Sequence, residues 1–192
     1  MTAVTFDRIS WPVHTERLTI RPATSDDLLA LYLVRSLPEV AHWMPGRPTS
    51  YADFVLRFGE LGILARTLVL EVDGDVVGDL YLLVTDAWAQ EDVADRAGQE
   101  AEIGWCLSPD HQGRGYVTEG ARELVRLCFE DLGVRRITAG AFADNGPSVR
   151  IMERLGMRQE SRGVRDSLHR DLGWVDGVVY ALLAEEWRAA NS

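Results

Sequence analysis

The chain contains no lysine: all twenty of its basic residues are arginine. That pattern reads as coding bias rather than function. Against them stand thirty acidic residues, giving a net charge of −10. So acidic a chain is a poor general nucleic-acid binder, because neutralising a phosphate backbone needs a concentration of basic groups. The charge suits a cationic partner such as an amine, or serves solubility alone. Cysteine is scarce, with only Cys106 and Cys128, so a disulfide scaffold is excluded. His14, His42, His111 and His169 show no metal-ligand spacing, and no metal is expected. No run approaches the roughly 18 apolar residues of a membrane span. The opening MTAVTFDRISWPVH lacks the basic and apolar regions of a secretory signal, which makes the cytoplasm the expected compartment. What is present is ordinary for a folded domain: 192 residues, 46% hydrophobic and 26% charged, without repeats, low-complexity tracts or a linker. One domain over residues 1–192 is expected.

Local patterns predict an alternation of strands and helices. Leu18 and Ile20 alternate with polar neighbours before Pro22 ends a short strand. Ser25, followed by Asp26 and Asp27, predicts a capped helix carrying Leu28, Leu31, Tyr32 and Arg35. Pro38, Pro45, Gly46 and Pro48 mark a loop, after which Thr49 or Ser50 caps a second helix with Phe54, Val55, Phe58 and Leu61. Two β-branched runs, 67–72 and 76–84, flank Asp73-Gly74-Asp75 and predict an antiparallel hairpin. The polar stretch 86–100 is longer than most connections and reads as a mobile loop or part of a substrate site.

The most informative segment is AEIGWCLSPDHQGRGYVTEG, positions 101–120. It reads as a strand to Leu107, a turn through Gln112, Gly113, Arg114, Gly115 and Tyr116, and a helix with 121, 124, 125, 128, 129 and 132 on one face, ending at Gly133. Two glycines permit positive φ and close backbone approach, leaving amides to point at an anion, and the helix adds its unpaired N–H groups. A lone GxG is also found in ordinary strand-to-helix connections. A strand follows over 134–142, then a helix starting at Asn145–Ser148 with Val149, Met152 and Leu155 on one face. Strand, helix and strand at this spacing indicate a βαβ unit whose loop lies at the edge where α/β sheets bind ligands. Runs 157–160 and 178–183 supply two last strands around an Arg- and Asp-rich loop.

Four blocks in this order resemble the GNAT superfamily of acyl-CoA N-acyltransferases, and within it the ribosomal-protein N-terminal acetyltransferases RimJ and RimL. They are TERLTIRP (15–22), AEIGWCLSPDHQGRGYVTEG (101–120), NGPSVRIMERLGM (145–157) and WVDGVVYALL (174–183). The resemblance implies an α/β (α+β) fold: a mixed, strongly twisted sheet of about seven strands flanked by about four helices. It also implies acetyl-CoA as co-substrate, with pantetheine in a notch between two splayed parallel strands. Cys106 and Leu107 would offer backbone groups to pantetheine, and the amides from Gln112 to Val117 would hold the pyrophosphate. Val117 departs from the small residue usual at its position and would crowd the phosphates. Thr118 adds a hydroxyl contact or simply starts the helix, and Asn145 contacts pantetheine or serves as a turn residue.

Acyl transfer to an amine needs a neutral amine, a home for the oxyanion and a proton for the departing thiolate. Glu102 lies where the histone-acetylating branch places its general base, and a partly dry pocket would suit that task. It is otherwise a structural Glu bonded to a neighbouring strand. The resemblance gives the Leu107 N–H the role of polarising the thioester carbonyl. Met152 stands where many members carry a proton-donating Tyr, so the proton falls to Ser148, whose competing use is as a helix N-cap. A covalent intermediate on Cys106 is not expected, because no His lies nearby in sequence to activate it. Asp176 and Tyr180 match positions the family retains, and packing or strand-end bonding explains them equally.

The acceptor would be met by the loop 43–48, by the loop from about Arg162 to Trp174, and by Trp43, Trp88 and Trp174 as an apolar floor. Glu91, Asp92 and Asp95 would attract a cation or form a solvated face. The implied partners are acetyl-CoA and a primary amine, with no nucleic acid or membrane, on a monomer or homodimer. The alternatives are a small-amine acetyltransferase, a non-catalytic acyl-CoA-binding module, and a nucleotide binder. The last lacks the Lys-Ser/Thr ending of a P-loop.

Overall fold

The structure, a computed structural model, describes residues 6–60 and 62–191. Along the chain run β1 (Val13–His14), β2 (Thr19–Pro22), α1 (Leu28–Arg35), α2 (Pro38–Trp43), α3 (Tyr51–Glu60), β3 (Thr67–Val72), β4 (Asp75–Asp86), β5 (Gln99–Leu107) and α4 (Tyr116–Glu130). Then follow β6 (Arg136–Phe142), α5 (Gly146–Arg154), β7 (Arg158–His169), β8 (Gly173–Leu183) and α6 (Ala184–Ala190). The fold is α/β, as expected. The described residues add a strand, the two-residue β1, and two helices, α2 and α6, to the expected number.

Contacts sort the chain into two bodies, residues 6–83 with 104–124 and residues 84–103 with 125–191, so that β4, β5 and α4 are each divided between them. In the first body the strand order is β1-β2-β3-β4 and then the C-terminal half of β5. β2 and β3 pair antiparallel with Ile20 opposite Leu70, both without exposed surface. The β3–β4 hairpin turns on Asp73 (φ 53°) and Gly74 (φ 89°), with Val72 opposite Asp75. Two successive positive φ values match the right-handed strand twist, which is why Asp-Gly reads so clearly. Leu31, Phe54, Phe58 and Val69 form one buried cluster, and Val34, Val40 and Cys106 another. Leu61, expected on the face of α3 with Phe54 and Phe58, lies outside the described residues, as does the side chain of Asp95.

Helix starts differ from expectation in detail. A 3-10 turn over Ser25–Asp27 precedes α1, and Thr24, not Ser25, makes the capping contacts: its N–H and hydroxyl donate to Asp27 Oδ2 at 2.7 and 3.0 Å. Pro38 opens α2 rather than a loop, because a proline at the first helical position lacks only an N–H that would have no partner there. α3 begins as expected, with Asp53 N–H donating to Ser50 Oγ at 3.1 Å.

In the second body the N-terminal half of β5 is followed by β6, β8 and β7. β5 and β6 pair in parallel from Glu100–Arg136 to Glu102–Thr138, joined by α4 as the βαβ reading requires. The expected face of α4 is buried at Ala121, Leu124, Val125, Cys128 and Phe129; Leu132, also buried, lies beyond the helix's last residue, Glu130, and Gly133 follows at φ 68°. The segment read as a loop between two short last strands is instead a long antiparallel hairpin, β7 and β8, with Leu168 opposite Trp174. Most of β7 is exposed, so its sequence has no apolar alternation to announce a strand. Trp43 accordingly ends α2, and Trp174 lies in β8, so only Trp88 of the three stands in a loop, 91% exposed. No helix of the described residues is long and apolar enough to cross a membrane.

Candidate functional site

In the first body β5 ends at Leu107, a 3-10 turn spans Pro109–His111, and Gln112–Gly115 lead into α4. Gly113 and Gly115 take φ 74° and 83°, and a Cβ on Gly113 would meet nothing within 4 Å. Side chains at such φ values are strained, so glycine keeps this turn open and bare. Residues 112–115 are exposed, while Val117 and Thr118 are buried. Val117, the residue expected to crowd the phosphates, is packed inward at 8% exposure. The amides of Tyr116, Val117 and Thr118 open α4 and have no carbonyl of their own helix behind them; the helix bonds begin with Glu119 N–H to Gly115 O at 3.0 Å. Beside the turn, His111 Nδ1 is buried without a hydrogen-bond partner. Open glycines, helix-start amides and an orphaned polar atom fit a phosphate-bearing ligand. Gln112 Nε2 also reaches back to Leu107 O at 3.4 Å.

The turn is tied to the β1–β2 connection by residues that pattern reading did not single out. Glu119 Oε1 accepts from Thr15 Oγ1 at 2.5 Å and from the Arg17 N–H at 2.9 Å, and Glu119 Oε2 accepts from Arg17 Nε at 2.7 Å. Arg17 Nη1 donates to Arg114 O at 2.8 Å, and its guanidinium lies 4.9 Å over the Tyr116 ring. Burial would raise the Glu119 carboxyl, but the bonds from Thr15 and Arg17 outweigh it and hold the group below its ordinary value. Glu119 is therefore an anion in the first turn of the helix that opens from the glycine turn. On the other side, Gly120 lets α4 approach β3, since a Cβ there would stand 2.8 Å from Leu70 Cδ2.

Cys106 sits in a second network of the same body. Its Sγ donates to Asp79 Oδ2 at 3.2 Å, and Asp79 pairs through both oxygens with Arg35, with Nε at 2.9 Å. Asp79 is 1% exposed and Arg35 13%, with the guanidinium 5.0 Å over the Phe58 ring. Burial first, and then the Asp79 charge, push the Cys106 thiol well up, so it is a neutral packing group rather than a nucleophile. At Gly78 a Cβ would fall 2.3 Å from Cys106 O, and Ser108 N–H donates to Val77 O at 2.8 Å. Residues 77–79 of β4 thus hold the backbone of 106–108 at a separation only glycine allows. A glycine inside an apolar strand is the sequence signal for such an approach.

The second body carries Glu102, Asn145 and Ser148. Glu102 is exposed on β5 between buried Ala101 and Ile103, opposite Thr138 of β6. The partly dry pocket expected around it is not what surrounds it here. Asn145, 8% exposed, caps α5, its Oδ1 accepting from the Ser148 N–H at 3.3 Å. The N-cap is therefore Asn145, and the Ser148 hydroxyl is not occupied in that task. Met152 is fully buried in α5 and is a core residue. Asp176 accepts from Arg162 Nε at 2.9 Å and the Arg165 N–H at 3.0 Å, the latter residue at φ 49°. Tyr180 donates to Gln159 Oε1 at 3.2 Å. Both have structural work within the β7–β8 hairpin.

Comparison with known proteins bears on this arrangement. Residues 17–158 match the family model of the acetyltransferase (GNAT) domain. The chain is 33% identical over 184 residues to YdaF of Bacillus subtilis, named provisionally as a ribosomal N-acetyltransferase, covering 90% of this chain and 94% of that one. It is 36% identical over 86 residues to the N-acetyltransferase YnaD of the same organism, spanning 45% of this chain and half of that relative. Among solved structures, a GNAT-family acetyltransferase from Bacillus anthracis aligns with a TM-score of 0.75 at 26% identity, over 91% of this chain and 99% of that one.

Proposed function

Since the chain belongs to the GNAT acetyltransferase family and is an N-acetyltransferase, we propose that it transfers the acetyl group of acetyl-CoA directly to a primary amine, without an acyl-enzyme intermediate. The observation that carries the donor half is the turn at Gln112–Gly115, with its two positive-φ glycines and the bare amides that open α4. These fit the pyrophosphate of the coenzyme, with Tyr116, Val117 and Thr118 adding helix-start amides. The family model runs through both bodies, which supports reading residues 1–192 as one catalytic domain.

The roles follow the chemistry. The Leu107 N–H polarises the thioester carbonyl and meets the oxyanion, and Cys106 and Leu107 offer backbone groups to pantetheine. Asn145, whose Oδ1 accepts from the Ser148 N–H, has its amide NH₂ left to offer pantetheine. Glu102 takes the ammonium proton directly or through water, and Ser148 returns a proton to the thiolate, since buried Met152 cannot. Direct attack suits a chain whose thiols, Cys106 and Cys128, are both buried and pushed up by that burial. The acceptor is a protein N-terminus or a small amine, and similarity to YdaF supports the former.

Calorimetric titration with acetyl-CoA, run beside ATP and NAD, tests the donor. Micromolar binding of acetyl-CoA alone is expected, followed by thiol release on adding N-terminal peptides or small amines. Glu102→Gln should lower turnover with little loss of acetyl-CoA affinity, and equal turnover in both proteins removes Glu102 from the mechanism. A second reading, a coenzyme-binding module without catalysis, draws on Met152 and the exposure of Glu102. Binding without thiol release for any acceptor would select it.

A further inference from the structure

The phosphate turn opens a helix whose first turn carries an anion, and the two demands conflict. Glu119 lies four residues after Gly115 and is charged, so it opposes any phosphate held by the amides of Gly113 to Thr118. The helix N-terminus favours Glu119 and phosphate alike. Arg17 resolves the conflict. Its guanidinium bonds Glu119 Oε2 through Nε at 2.7 Å and Nη2 at 2.6 Å, covers the Tyr116 ring and donates to Arg114 O at 2.8 Å. Its Nη2 lies 3.4 Å from where a Gly115 Cβ would stand, so the positive group is at the turn itself. Thr15 and the Arg17 N–H hold the other carboxylate oxygen, fixing the anion to face this one cation.

We propose that Arg17 acts as a charge mask and positioning residue for the phosphate turn, cancelling Glu119 so that the turn presents a net attractive face to the phosphates of the co-substrate. This rests on the reading of the turn as the coenzyme's pyrophosphate site. Two features separate a mask from a mere brace. A brace fails whichever partner is removed, whereas a mask becomes unnecessary once the charge it hides is gone. A mask also depends on charge rather than on fork geometry, so lysine serves where alanine does not.

The experiment is a mutant cycle read by calorimetry at low and high salt, with acetyl-CoA and with inorganic pyrophosphate as probes. Arg17→Ala should weaken acetyl-CoA binding about tenfold, a deficit that shrinks in salt as exposed charges are screened. Glu119→Gln preserves shape and acceptor capacity toward Thr15, and should tighten binding severalfold by releasing Arg17 to the ligand. The double variant should recover to near the parent affinity, and Arg17→Lys should stay within about threefold of it. A thermal melt beside each titration reports folding, and turnover at saturating acetyl-CoA should change little, placing the effect in KM rather than kcat. If Glu119→Gln weakens binding, or the double variant is no better than Arg17→Ala, the mask is refuted and the pair is a brace. If acetyl-CoA does not bind but pyrophosphate follows the same order, the mask stands and the coenzyme reading falls. If the parent binds neither probe, both fall.

Discussion

The buried pair between Arg35 and Asp79 yields the sharpest stability prediction. Asp79 has 1% of its side chain exposed and Arg35 13%, and the carboxylate serves three donors: Arg35 through Nε and Nη2, and Cys106 Sγ at 3.2 Å. Burial alone would lower the Arg35 guanidinium, but the Asp79 charge outweighs it and raises the group, so Arg35 stays a cation. Asp79→Asn keeps the shape and removes the charge, leaving a buried cation uncompensated. Breaking a buried pair from one side costs about 3–5 kcal/mol. In a chain of this size, that corresponds to a fall in Tm of roughly 6–20 °C. Removing both charges together is different, because their desolvation cost disappears with them. Arg35→Met combined with Asp79→Leu should therefore lie within about 2 kcal/mol of the parent. The assay is urea unfolding followed by circular dichroism, with m-values checked for constancy. A loss under about 1 kcal/mol for Asp79→Asn would show that water reaches Arg35 and that the pair is not a sealed one.

Three further outcomes are expected. Asp27, 6% exposed, is held at about 2 against an ordinary 3.8, chiefly by its bonds to Arg21 and, against the cost of burial, with help from Thr24. Its folded value is depressed, so its contribution of about 2 kcal/mol is in place above pH 4 and is lost as pH falls toward 2. Asp27→Asn should lower stability at neutral pH and flatten that acid limb in pH-dependent melts; an unchanged limb would mean other carboxylates control it. Gly78→Ala drives a Cβ to within 2.3 Å of Cys106 O, and should cost at least about 2 kcal/mol while weakening acetyl-CoA binding through displacement of residues 106–108. A variant with parent-like melting and affinity would contradict that close approach. Cys106 and Cys128 are both buried thiols pushed above their ordinary value, first of all by burial. Iodoacetamide should modify neither in the folded protein and both in urea, as mass spectrometry would register.

The elements that sequence pattern located were those whose cause lies within a few residues. Asp73-Gly74 gave the hairpin because two positive φ values are needed between adjacent residues. α4 was legible because its buried positions recur at the helical period, although it ends at Glu130, short of Gly133. α2 is hidden from pattern because its proline, elsewhere a breaker, starts a helix here, and β7 because a mostly exposed strand has no apolar face to alternate.

The site divides along the same line. The chain's own order fixed the glycine turn, the helix that follows it and Asn145 at the head of α5, since each is a local backbone requirement satisfied by a local residue type. Tertiary structure alone decided that Arg17 faces Glu119 across 102 positions, that Arg35 meets Asp79 across 44, and that Glu102 is exposed on its strand. Ion pairing and burial depend on where the sheet register and helix packing bring distant segments together, and charge carries no periodicity by which a residue could announce its partner.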